Sequence, residues 1–384
     1  EAWEYTDKAA VSPAMIKRTL RAHHIFHVKR SGATKNRVVV NGNRQDPSTY
    51  SDTASPVASL LQVRIFLAIV AARKYHIVQG DYKNAYLTAD LKDFVLIIVP
   101  EGFPRAGEVA ILRKAQYGTK QGARRFYDKA ADDLKAIGMI QCAAEPCLFR
   151  YHNSAKNIVC FLLLYVDDSL IAGDDEAVQF ITDALQQRYE CNFHPPKDFL
   201  GMDITRSKDG DEISISMQTF TDKMVERYKI PRQQYPVATP GRTDLKVIRD
   251  GVKPKVLDEE YRSKVGSINW LTMALRYDMA YSSKELSRVL DGPNPIAQNT
   301  LLPRALQYAR QTKDFRLRYN SAEMHAYSPP KTRKKPTDST DPYTESLSGN
   351  AEDPIPMPDQ SPARREYTYN GKWLTITIEA GIDL

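Results

Sequence analysis

The residues with the clearest chemical potential are carboxylates. Asp167 and Asp168 stand side by side after the apolar run Phe161-Leu162-Leu163-Leu164-Tyr165-Val166 and ahead of a second one, Leu170-Ile171-Ala172, that closes on Gly173. Each run has the length of a buried strand, so the pair is predicted at the tip of a tight β-hairpin. Two carboxylates beside buried strands repel each other and lose solvation unless a positive charge neutralises them. A divalent cation meets that need, because Mg²⁺ takes one or two carboxylates together with substrate phosphates. A polar turn that happens to carry two acids fits the same residues, since Asp is a common turn residue.

A third acid changes the balance. His76-Ile77-Val78-Gln79-Gly80-Asp81 is a short strand ending in a carboxylate. Three carboxylates on two adjacent strands can hold two divalent ions roughly 3.5–4 Å apart, the arrangement used for in-line phosphoryl displacement.

The elements around these acids follow from pattern. Lys35-Asn36-Arg37-Val38-Val39-Val40 reads as a strand running into a turn at Asn41-Gly42, with Lys35 and Arg37 on one face. Both could reach one set of phosphates, and a solvated basic edge strand accounts for them equally simply. Residues 58–74 are apolar nearly all round and predict a buried helix, with Arg64 held in a structural pair. Phe94 to Val99 is an apolar strand that Pro100 ends. Phe126, Ala130, Leu134 and Ile137 recur at helical spacing, as do Val178, Ile181, Leu185 and Tyr189. Residues 232–260, with Pro236, Pro240 and Pro254, resemble a linker, and helices resume over 261–290 and about 300–312. Residues 329–366, rich in Pro, Ser, Thr, Asp and Lys, are predicted disordered, and Trp373 to Ile378 reads as a lone strand.

Composition sets outer bounds. The chain has 384 residues, 42% of them hydrophobic and 26% charged, enough for a real core in two or three compact units. A net charge of +7 favours a polyanionic partner. Cys142, Cys147, Cys160 and Cys191 show neither zinc spacing nor a disulfide framework and read as reduced thiols of an intracellular protein. No apolar run has the length of a membrane span and no signal-peptide pattern opens the chain, so no membrane partner is expected. Beginning at Glu1 rather than Met, the chain reads as a piece of a longer polyprotein.

Together the motifs resemble a known family. Tyr165-Val166-Asp167-Asp168 is similar to the signature tetrad of reverse transcriptases, and the surroundings resemble the copia type of LTR retrotransposon. The supporting segments are Ser55-Pro56-Val57-Ala58, Asp81-Tyr82-Lys83-Asn84-Ala85-Tyr86-Leu87, Val99-Pro100-Glu101-Gly102-Phe103, Tyr117-Gly118-Thr119-Lys120-Gln121, Glu145-Pro146-Cys147-Leu148-Phe149, Phe199-Leu200-Gly201-Met202-Asp203-Ile204 and Val265-Gly266-Ser267. They keep the family's order over roughly residues 25 to 325.

The resemblance implies an α+β right-hand polymerase. An N-terminal segment and fingers would span residues 1–75, a palm with an interleaved fingers helix 76–230, and thumb or connection helices 231–325. It implies RNA-directed and DNA-directed DNA synthesis, a nucleotidyl transfer from dNTP to a primer 3′-hydroxyl. Asp81, Asp167 and Asp168 would be the catalytic metal ligands for two Mg²⁺ ions, with Mn²⁺ able to substitute. Lys35, Arg37, Tyr86 and Gln121 would bind the dNTP, Tyr86 as the steric gate against a 2′-hydroxyl. Phe199, Leu200, Gly201 and Met202 would form the primer grip. Partners would be a primed RNA or DNA template, dNTPs and other Pol products such as integrase or ribonuclease H, in a cytoplasmic virus-like particle and the nucleus.

Three departures stand out. The family's Gln-Ala-Pro-Arg is here Gln121-Gly122-Ala123-Arg124, and its Arg-Pro-Asp is Arg276-Tyr277-Asp278. Ala326-Tyr327-Ser328 matches the start of a ribonuclease H domain, but Pro329-Pro330 stands where its acid belongs. Residues 326–384 are therefore expected to be a disordered tail with a truncated ribonuclease H beginning and no such activity. The departures also support a rival reading, an inactive transposon remnant that at most binds nucleic acid. A nucleotide cyclase would keep the palm acids but lack the basic fingers strand and the primer-grip segment.

Overall fold

The computed structural model describes residues 2–28, 34–232, 235–242, 244–245, 247, 251–321, 367–370 and 373–376. The chain divides into two compact units, Glu1–His325 and Ala326–Leu384. Mixed α and β structure builds the first unit around three sheets.

The central sheet is antiparallel and runs in the order Cys191–His194, His76–Tyr82, Asp168–Gly173, Ile158–Tyr165, Leu148–Asn153, Ile140–Gln141. Its middle strands are buried on both faces, which is why they read as unbroken apolar runs: Cys160, Leu162, Leu163, Leu164, Leu170, Ile171 and Ala172 are all buried. The helix Asp175–Gln186 covers it, burying Val178, Ile181 and Leu185 in the same core as Phe126, Ala130 and Leu134 of the helix Gly122–Ala136. The periodicity that predicted both helices is thus the record of one shared core.

A first sheet has the order Trp3–Tyr5, Val109–Leu112, Leu96–Ile98, Leu20–Val28, Thr34–Val40. Its last two strands form a long antiparallel hairpin that carries Lys35 and Arg37. Leu20, Val40, Val95, Ile97, Val99 and Leu112 give this sheet a small core of its own.

The third sheet, Asp198–Phe199, Met202–Arg206, Glu212–Ser216, Arg316–Asn320, gathers strands distant in sequence. The helix Leu60–Arg73 packs against its last two strands. That helix starts at a capping box between Ser59 and Gln62 and is apolar nearly all round, as expected. Arg64 does not pair with an acid; it donates to the Ala274 carbonyl at 2.8 Å, at the end of the helix Tyr261–Ala274. Carbonyls at a helix C-terminus carry partial negative charge and serve a guanidinium as a carboxylate would. Helices Ala280–Ser287 and Leu302–Gln311 complete the unit, the latter preceded by a π-turn at Ala297–Leu301.

In the second unit Tyr367–Asn370 and Trp373–Ile376 pair as an antiparallel hairpin. Trp373 onward is therefore not a lone strand, and the tail is not wholly without regular structure. The expected ribonuclease H beginning and the stretch 329–366 lie outside the described residues.

Candidate active site

The acids meet at one end of the central sheet. Asp168 is the first residue of its strand and lies opposite Asp81 on one side and Tyr165 on the other. Val166 and Asp167 form the two-residue turn between Tyr165 and Asp168, so only Asp167 occupies the tip itself. Val166 has φ +51°, a left-handed conformation that a β-branched residue resists. Strain of this kind, on the order of 1–3 kcal/mol, persists where the surroundings over-determine the backbone. Here the strain fixes how Asp167 leaves the turn. Beneath the acids the strands approach closely. A Cβ on Gly80 would stand 2.6 Å from Ser169 Oγ and 2.9 Å from the Phe193 ring.

The electrostatics match the geometry. Burial, then the charges of Asp167, Asp81 and Asp198, push the Asp168 carboxyl up to about 6, while Lys35 pulls it back. Asp198 joins the cluster from the third sheet, a neighbour that no sequence signal indicated. Hard carboxylate oxygens gathered against their own repulsion suit a Mg²⁺-type cation. As they stand, among the described residues no group of three or more His, Cys, Asp or Glu is drawn together enough to hold one.

The Asp167 carboxylate turns to Tyr117, whose hydroxyl donates to its Oδ2 at 3.2 Å. Burial and the Asp167 charge both raise the phenol, so it stays a donor. The Tyr117 ring lies 4.3 Å from the Tyr86 ring, and the Arg37 guanidinium sits over the Tyr117 ring, 5.3 Å from its centroid. Tyr86, in the short helix Ala85–Thr88, also stacks on Phe126 at 6.1 Å. Lys35 and Arg37 are exposed on one hairpin strand; the Lys35 charge acts on Asp168, and Arg37 reaches the Tyr117 ring beside Asp167.

Gln121 is placed differently. Its side chain is 1% exposed; its Oε1 accepts from Gln45 Nε2 at 2.9 Å and its Nε2 donates to Asp93 at 3.1 Å. Gln45 in turn accepts from the Lys120 amide at 3.0 Å. In this conformation Gln121 is a buried brace of the loop before the helix Gly122–Ala136, not a group on the cleft wall. At Gly122, where the family has Ala, a Cβ would stand 2.7 Å from Thr119 Oγ1 and 3.2 Å from the Tyr86 ring; nothing in the structure explains Ala123 in place of the family's Pro.

Phe199, Leu200, Gly201 and Met202 form a hairpin corner. Leu200 and Gly201 both have positive φ, the two-residue turn that matches strand twist. Phe199 and Met202 are buried beneath it, with Phe199 6.3 Å from the Tyr165 ring; Leu200 is half-buried against the same core and Gly201 is exposed. The turn is thereby docked on the end of the strand that leads into the Val166-Asp167 turn.

The second departure has local contacts. Arg276 is 3% exposed; it binds both Asp278 oxygens at 3.0 and 2.8 Å and the Thr312 carbonyl at 3.0 Å. Tyr277, where the family has Pro, lies under the Arg64 guanidinium at 5.2 Å.

Comparison with known proteins shows the family. A profile for reverse transcriptase (RNA-dependent DNA polymerase) matches residues 9–243, more than half of the chain, and the chain belongs to that family. Within it the chain is of the copia retrotransposon type. It is 33% identical over 303 residues to the Retrovirus-related Pol polyprotein from transposon RE2 of Arabidopsis thaliana, covering 77% of this chain and 20% of that one. It is 30% identical over 295 residues to that from transposon TNT 1-94 of Nicotiana tabacum, covering 72% and 22%. The chain thus spans about a fifth of the length of these relatives. A solved foamy viral protease-reverse transcriptase in complex with ds DNA aligns with TM-score 0.38 at 14% identity, over 76% of this chain and 44% of that one.

Proposed function

We propose that the chain is an RNA-directed and DNA-directed DNA polymerase that adds dNTPs to a primer 3′-hydroxyl. The observation that carries the reading is the meeting of Asp81, Asp168 and Asp167 at one sheet end, with the Lys35 charge acting on Asp168 and Arg37 over the adjoining Tyr117 ring. The first sheet then acts as fingers, the central and third sheets as palm, and the helices after residue 260 as thumb or connection. Family membership supports the same reaction class.

The residues divide the work. Asp81, Asp167 and Asp168 would hold two Mg²⁺ ions, which supply activation of the primer hydroxyl and charge stabilisation at the leaving pyrophosphate. Lys35 and Arg37 offer point charge and a planar fork to the triphosphate. Tyr86, braced by Tyr117 and Phe126, fills the space a 2′-hydroxyl would need. The turn Leu200-Gly201, exposed at Gly201, is the surface available to a primer end. A role for Gln121 at the nucleotide requires its amide to leave the Gln45 and Asp93 bonds. Sequence would be read by base pairing while basic groups hold backbones, so template affinity should fall steeply with salt. Ribonuclease H chemistry is assigned to other Pol products.

The test is dNTP incorporation on poly(rA)–oligo(dT) with Mg²⁺, against Asp167→Asn. Incorporation that disappears in the variant supports the assignment. Folded protein that binds the primed template without extending it would be a remnant instead.

A further inference from the structure

We propose that Tyr117 is a positioning residue that orients the Asp167 carboxylate for metal ligation and backs the Tyr86 ring against the nucleotide sugar. The inference deepens the polymerase reading and rests on it.

One side chain makes both contacts. The Tyr117 hydroxyl donates to Asp167 Oδ2 at 3.2 Å, and its ring packs 4.3 Å from that of Tyr86 at an interplanar angle of 35°. Asp167 needs such a partner. It leaves a strained turn beside Asp168 and close to Asp81, and like charges drive its carboxylate outward. A cationic partner would hold it but would compete with an incoming metal ion. A neutral phenol holds one oxygen, leaves Oδ1 out of that bond, and keeps the negative charge. Packing alone asks only for a ring, which Phe would supply; the hydroxyl is explained by Asp167.

The position of Tyr117 is itself set by the Lys35 hairpin. Its carbonyl accepts from the Val40 amide at 2.8 Å, and Gln116 Nε2 donates to the Val38 carbonyl at 3.0 Å. Gly118, at φ +90°, brings the turn so close to this strand that a Cβ there would lie 2.0 Å from Val40 O. Arg37, two residues before Val39 on the same face, stacks on the Tyr117 ring. A shift of the hairpin toward a triphosphate would therefore be felt at Tyr117, and through it at Asp167 and Tyr86.

The test uses a primer ended with a dideoxynucleotide, so that a ternary complex with the next dNTP forms without chemistry. The readout is the Mg²⁺ concentration for half-formation of the competitor-resistant complex, with primed-template affinity in EDTA as the structural control. Tyr117→Phe is expected to raise that concentration about tenfold, the lower end for outer partners of metal ligands, and to leave affinity in EDTA and ribonucleotide selection as in wild type. Tyr117→Leu is expected to raise it similarly and to increase ribonucleotide acceptance severalfold. An unchanged Mg²⁺ requirement in Tyr117→Phe, or an equal loss of affinity in EDTA, would overturn the proposal. If the wild-type chain forms no ternary complex with any dNTP, the polymerase reading itself fails, which is a separate result.

Discussion

Asp81 and Asp168 face each other on neighbouring antiparallel strands, brought into register from distant parts of the chain. Directly opposed residues have Cβ atoms about 4.5–5.5 Å apart, where like charges destabilise a sheet. The fold therefore holds two carboxylates together at a cost, and the cost has a measurable pH dependence.

Asp168 is raised to about 6, chiefly by burial and then by its acidic neighbours, whereas an unfolded Asp titrates near 3.9. Between these values the folded state binds more protons than the unfolded, so stability falls as pH rises from about 4 to about 6. In EDTA, Asp168→Asn should stabilise the protein at pH 7 by on the order of 1–2 kcal/mol, a figure reduced for partial solvent screening. The gain should vanish near pH 4, as urea midpoints at both pH values would show. Primer extension should fall by about 100-fold or more. A variant that is no more stable than wild type at pH 7 would contradict the electrostatic account.

Tyr86 is packed between Tyr117 and Phe126, so its ring cannot easily move aside. Replacing it by Val should open space beside the sugar. Incorporation of ribonucleotides relative to deoxynucleotides is expected to rise by about tenfold or more, read by single-nucleotide extension. Equal discrimination in the variant would assign the selection elsewhere.

Gly118 and Gly107 separate contact from conformation. Both have strongly positive φ, +90° and +86°, but a Cβ on Gly118 would strike Val40 O while one on Gly107 meets nothing within 4 Å. Gly107→Ala should cost about 1 kcal/mol and Gly118→Ala about 2–4 kcal/mol. Gly118→Ala should also raise the KM for dNTP, because the displaced strand carries Lys35 and Arg37. Thermal unfolding and steady-state kinetics of the two variants decide the point; similar costs would mean that the strand yields freely.

Arg276 and Tyr277, although adjacent, are predicted to differ severalfold in what their loss costs. Arg276→Met strips a buried guanidinium from Asp278 and Thr312, and should destabilise by about 3 kcal/mol. Tyr277→Pro restores the residue usual in the family and removes the stacking with Arg64, worth about 0.5–1 kcal/mol at an exposed site. Urea denaturation of each variant measures the difference. A large loss in Tyr277→Pro would show that the departure is built into the fold rather than merely tolerated.

Local chemistry was enough to read several features from sequence. Apolar runs flanking Asp167-Asp168 require buried strands joined by a short turn, and helical spacing at Phe126 and Val178 requires two helices on one core. The family motifs named Asp81 and Tyr86, and position on a basic strand named Lys35 and Arg37; in the structure Asp81 faces Asp168, the Lys35 charge acts on Asp168, and Tyr86 and Arg37 both touch the Tyr117 ring. Other relationships depend on pairs of segments that no local pattern links. Gln121 lies in a motif, yet its burial follows from Gln45 and Asp93, which meet it only in the folded chain. Asp198 enters the acid cluster because the third sheet docks its corner on Tyr165, and Arg64 finds carbonyls rather than an acid because a distant helix ends beside it. Tyr117 shows the division most plainly. Its place before Gly118 is legible as part of a family motif, but its hydroxyl acquires a function only when sheet register sets Asp167 within reach. Sequence alone determined the residue types, the strand and helix periods and the family. Tertiary structure decided which polar groups face one another, because hydrogen bonds and charge repulsion depend on distances that packing alone sets.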